Sequence, residues 1–203
     1  MVYRWMQVLA IGSVSLVAGL GCPALAEPVA NEAVPADPAL VEGLAGAFRT
    51  CQLWILNPDS WASGPEVFHE QVGLGSAMGL VEQVDEINQP PEVWRQGSHY
   101  WRINSTQRAG FVVVVSDQLP VCHVTGGGDA DFQPVVLKVL ESASFKGAWR
   151  EVDEAARGGM VSTTFVSREE PDFTMVLSRV AAPGARRDRV QVVVSASFTP
   201  AGE

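Results

Sequence analysis

Two cysteines, Cys51 and Cys122, stand about 70 residues apart, and whether they can be joined constrains the fold more than any other feature of the chain. The answer depends on the compartment. The sequence opens with MVYRWMQ, continues through the apolar run VLAIGSVSLVAGLG and reaches CPALAE. A positive charge at Arg4, a short apolar middle and the small residues Ala24 and Ala26 around Leu25 make a secretory leader over residues 1–26, cut between Ala26 and Glu27. The apolar run is shorter than the ~20 residues that span a bilayer, and no later stretch approaches that length. Export delivers Cys51 and Cys122 to an oxidising environment as the two cysteines of the mature chain, with a single intramolecular pairing open to them. Closing that loop stabilises the fold by about 4 kcal/mol in the chain-entropy account. The third cysteine, Cys22, falls inside the leader, and lipidation there is disfavoured because Gly19 stands where lipoprotein signals usually place leucine.

Charge narrows the partners. The chain has 14 Lys and Arg against 23 Asp and Glu, a net charge of −9, and loss of Arg4 with the leader makes the mature form one unit more acidic. Nucleic acid and anionic lipid are therefore excluded as expected partners. Arginine far outnumbers lysine, and Ala, Gly and Val are abundant, a composition that fits a GC-rich bacterial genome. With the leader, it points to the periplasm of a Gram-negative bacterium or the medium outside it.

Residues 27–36 read as a flexible lead-in, residues 37–199 as one domain and residues 200–203 as a tail. Asp37-Pro38 supplies an N-cap and a first-turn proline, after which Leu40, Val41, Leu44, Ala45, Phe48, Cys51 and Ile55 recur at helical steps until Asn57-Pro58. A short helix is expected from Pro65 to Val72, whereas GLVEQVDEI fits helix and strand equally. From Ser98 the period becomes two: HYWRIN, FVVVVS and VCHVT read as three antiparallel strands, the middle one covered on both faces. GGGDADF then ends the third strand and offers Asp131 as N-cap for a helix whose stripe is Phe132, Val135, Val136, Val139 and Leu140. AWREV, GMVSTTFVS, DFTMVLSRVA and RVQVVVSASF are further strands, with Val190, Val192, Val194, Ala196 and Phe198 on one side of the last and Gln191, Ser195 and Ser197 on the other.

No internal repeat is visible in the sequence. The order predicts an α+β domain, an antiparallel sheet of about six or seven strands carrying an N-terminal and a central helix. In topology this resembles PAS-like or profilin-like sensor folds, a likeness that implies nothing about activity.

The chemistry is sparse. In PVCHV, alternation along a strand sends Cys122 and His123 to opposite faces, so they cannot share a proton as a nucleophile and its base must. His69, His99 and His123 have no second ligand at a metal-binding spacing, and no cofactor motif is present. Gly126-Gly127-Gly128 could cradle an anion, but Asp129 and Asp131 occupy the phosphate position, and these two acids lack the partners of a calcium loop. Arg186, Arg187 and Arg189 cluster in APGARRDR as the basic tip of a hairpin. Trp54, Trp61, Trp94, Trp101 and Trp149 are first of all core residues. The reading is a non-enzymatic exported domain that binds a protein or small ligand. The alternative is a small hydrolase whose site is assembled from distant residues, His123 or His99 with a carboxylate such as Asp117.

Overall fold

The computed structural model describes residues 35–182 and 189–200. The leader, its junction at Ala26 and Glu27, Cys22, Arg186 and Arg187 lie outside the described residues. Helix α1 (Pro38–Leu56) begins where the sequence places its cap, the Asp37 carboxylate accepting the Ala39 N–H at 2.8 Å. Of its expected stripe it buries Leu40, Leu44, Phe48, Cys51 and Ile55, whereas Val41 and Ala45 are only half-buried, and Ala47 and Trp54 join the buried face in their place. Helix α2 (Pro65–Gln71) follows, anchored by fully buried Phe68.

Among the described residues, eight strands form one antiparallel sheet: β1 (Met78–Val81), β2 (Ser98–Ile103), β3 (Ala109–Ser116), β4 (Val121–Gly128), β5 (Trp149–Arg157), β6 (Met160–Ser167), β7 (Phe173–Val180) and β8 (Val190–Phe198). The count exceeds the expected six or seven because the ambiguous GLV segment pairs with β2, Leu80 lying opposite Trp101, and so becomes the edge strand β1. At the other edge, β5 runs well beyond AWREV. Its Glu151, Asp153, Glu154 and Arg157 face water, and its register slips between Glu151 and Asp153. Charge and a bulge are the usual protection of a long unpaired edge.

The strand order is β1-β2-β3-β4-β8-β7-β6-β5. Two helices followed by a four-stranded meander occur twice along the chain, since α3 (Gln133–Leu140) and α4 (Ala143–Ala148) precede β5 as α1 and α2 precede β1. The two meanders meet where β4 pairs antiparallel with β8, the seam that a two-fold relation between the halves would require. Helix α4, which the sequence reading did not anticipate, starts at Ser142, whose hydroxyl accepts the Phe145 N–H at 3.2 Å. Helix α3 starts one residue later than Asp131 implies: Phe132 is the N-cap residue, and the Asp131 carboxylate still accepts the Gln133 N–H at 3.0 Å.

The two faces of the sheet differ in chemistry. One row reads Trp101, Val113, Val124, Val194 and Leu177 across β2, β3, β4, β8 and β7, and every member is buried beneath the helices. The adjacent row on the opposite face reads Arg102, Val112, Thr125, Val193 and Ser178. Among the described residues no α-helix packs there. Instead the connection from β1 to β2 crosses part of it, where Thr125 Oγ1 donates to Asn88 Oδ1 at 2.7 Å.

The helix layer and the sheet are joined covalently. Cys51 of α1 and Cys122 of β4 form a disulfide with Cα atoms 5.4 Å apart, both residues buried in the main apolar cluster. Beside it, Trp54 stacks on Trp61 at 4.7 Å and meets Phe68 and Trp101 edge-on, while its indole N–H donates to the Ser116 carbonyl at 2.7 Å.

One strand departs from simple alternation. Gln191, expected among the outward polar residues of β8, is fully buried because the β4–β8 register shifts between Gly126 and Gly127. Its side-chain amide donates to the carbonyls of Gly128 and Ala130 and accepts from the Phe132 N–H. The turn into α3 is thus held by a side chain from β8.

Candidate functional site

Strand β4 separates the two residues that stand side by side in PVCHV. Cys122 faces α1 and is consumed in the disulfide, while His123 lies on the other face with its Nδ1 3.3 Å from Ser195 Oγ. His123 is only 7% exposed, and burial lowers its pKa from 6.5 to about 4, since the charged imidazolium loses hydration there. A serine beside a histidine has the outline of a nucleophile with its base. Here no carboxylate among the described residues orients the ring, and an imidazole held neutral to so low a pH is a poor acceptor for a serine proton.

His99 and Asp117, from the start of β2 and the end of β3, do come together. Their side chains meet at 3.0 Å and both are partly exposed. The imidazole also lies against the Trp54 and Trp101 rings. The pair has the base and the orienting acid of a hydrolase triad, but among the described residues no hydroxyl or thiol is hydrogen-bonded to His99. His123 belongs to neither this pair nor Asp117.

A larger feature occupies the helix-free face. A groove of about 590 Å³ lies at the end of β2, β3 and β4, floored by Val112 and Thr125 and walled on one side by Ile87 and Asn88. This volume falls in the range of small-ligand sites. Arg102, Arg108 and Arg189 line it, with Asp85 at the rim. A second, shallower groove of about 450 Å³ lies at the opposite end of the same connection, where Val93 and Trp94 approach Val121 and Phe198.

The triple glycine proves to be steric in origin. A side chain on Gly126 would strike Val192 and the Phe111 ring, and one on Gly128, at φ 115°, would strike the Arg108 carbonyl. Asp129 is engaged with Arg108 at 2.7 Å. Among the described residues no cluster of three or more His, Cys, Asp or Glu is arranged to hold a metal ion. Trp54, Trp101 and Trp149 are buried core, while Trp61 and Trp94 are half-buried. The residues that sequence reasoning missed are Arg102, Asn88 and Thr125. Arg102 carries a local signal, a charge between the apolar Trp101 and Ile103 of a period-two strand, but its neighbours become visible only through strand register.

No protein-family profile matches the chain, and comparison with curated proteins and with solved structures found no match.

Proposed function

We propose that the chain is an exported bacterial binding domain, periplasmic or secreted, formed by residues 37–199 after cleavage between Ala26 and Glu27 and free of lipid at Cys22. It takes a small ligand in the groove on its helix-free face and performs no chemistry on it. The observation that carries the reading is that groove, about 590 Å³, set on a sheet face that carries Arg102 and Thr125 where the opposite face carries Trp101 and Val124. The disulfide supports an oxidising compartment, and no helix among the described residues is long and apolar enough to cross a membrane. The α-helices on one side of an antiparallel sheet, with the other side covered only in part by the β1–β2 connection, also support the likeness in layout to PAS-like or profilin-like sensor domains. Native mass spectrometry of the mature chain purified from its own host tests the proposal. A small molecule retained by the wild type and lost on Gln107→Trp, which narrows the groove from its exposed rim, is the expected result. A chain that retains nothing, or retains its ligand despite the blocked groove, refutes it.

A second reading, a small hydrolase, rests on the 3.0 Å approach of His99 to Asp117. It requires turnover of a generic ester or peptide substrate that disappears in His99→Ala. Turnover unchanged by that substitution, or none at all, removes it.

A further inference from the structure

Resting on the reading of the groove as a ligand site, the geometry points to an organic anion, bearing carboxylate or phosphate, as the ligand, with Arg102 as the group that binds it. Arg102 sits one residue from the end of β2, where its lateral neighbours on the sheet are Gly79 and Val112. Cross-strand positions are where a sheet ordinarily supplies an opposite charge. Here one neighbour has no side chain and the other is apolar. Among the described residues no carboxylate lies within ion-pairing distance of Arg102, which is exposed and lines the groove. A guanidinium presents a planar fork of donors suited to two-point recognition of a carboxylate or phosphate.

The surroundings add donors. Asn88 Oδ1 accepts from Thr125, which leaves the Asn88 amide N–H groups to donate from the groove wall. Arg108 and Arg189 line the same space, both already engaged, Arg108 by Asp129, and the carboxylate in the lining is Asp85. Three cations around one cavity stand out on a chain of net charge −9. The surrounding acidity repels polyanions such as nucleic acid, while a small anion can approach these guanidinium groups closely.

The test is calorimetric titration of the mature chain with citrate, inorganic pyrophosphate and, as an uncharged control, sucrose, each at millimolar concentration. Wild type, Arg102→Gln and Arg157→Gln are compared, the last removing an exposed arginine at the far edge of the sheet. At least one anion is expected to bind while sucrose does not. Arg102→Gln should weaken that binding by about tenfold or more, as loss of a charge-assisted contact does, and Arg157→Gln should leave it unchanged. Binding of citrate alone assigns a carboxylate ligand, and binding of pyrophosphate alone a phosphate ligand. Failure of both anions to bind, or an Arg102→Gln chain that binds like the wild type, overturns the assignment. If the native ligand is lost on Gln107→Trp yet kept on Arg102→Gln, the groove stands as the site and its anionic character falls. If no native ligand is retained at all and neither anion binds, both readings fall together.

Discussion

Replacing both Cys51 and Cys122 by alanine, in the mature chain, removes the crosslink. The bond spans 71 positions, and the chain-entropy relation gives about 15 cal/mol/K for a loop of that length, or about 4 kcal/mol at 25 °C. For a chain of this size each kcal/mol moves the melting temperature by roughly 2–4 °C, so the variant should melt on the order of 10 °C lower. Because both sulfurs sit in the apolar core, the alanines also remove packing. Wild type unfolded in the presence of reductant keeps the sulfurs and loses only the bond, so the two effects separate. Urea titration followed by tryptophan fluorescence should place the oxidised chain highest, the reduced chain about 4 kcal/mol below it and the double variant slightly lower still. The urea dependence should steepen without the bond, since an unlinked denatured chain exposes more surface. Coincident midpoints for oxidised and reduced wild type would refute the argument, as would ready alkylation of both thiols in unreduced protein.

His123 makes stability depend on pH. Its folded pKa, about 4, lies below the unfolded 6.5, so between those values the unfolded chain binds a proton that the native chain refuses. Stability then rises with pH: the contribution is complete above 6.5, and about 3 kcal/mol of it is lost as pH falls to 4. A series of urea midpoints across that window in His123→Gln should show a correspondingly flatter slope, and an unchanged slope would exclude His123 as its source. Gln191→Leu strands the Phe132 N–H and relieves the Gly128 and Ala130 carbonyls of their donor. A loss of about 3 kcal/mol is expected, with amide exchange accelerated first at the start of α3, and a loss under about 1 kcal/mol would show that water replaces these bonds.

What the sequence revealed was whatever depends on local period. The α1 stripe, the FVVVVS strand and the opposed faces of Cys122 and His123 follow from spacings of three, four and two, and they stand in the structure apart from Val41 and Ala45, which α1 leaves half-buried. What escaped it depends on pairing. β1 is a strand because β2 lies beside it, and β5 outruns its apolar start because charged residues are acceptable on an edge. Gln191 is inward because a register shift beside Gly126 breaks the alternation that the sequence displays. The groove is of the same kind: Arg102, Asn88 and Thr125 come from three separated segments, and neither composition nor spacing joins them. His99 and Asp117 could be named as candidates from residue type, but their 3.0 Å contact results from the β2–β3 register.

The disulfide also determines how the molecule would bear mechanical load. If its two ends were pulled apart, tension would pass from α1 through the sulfur bridge directly into β4, bypassing the 71 positions between the cysteines. Strands β1, β2 and β3 would carry none of that force, and about 250 Å of contour length would stay hidden until the bridge was reduced. Extension would instead have to part β8 from its neighbours, so the seam between the two meanders is the place where such a molecule would yield.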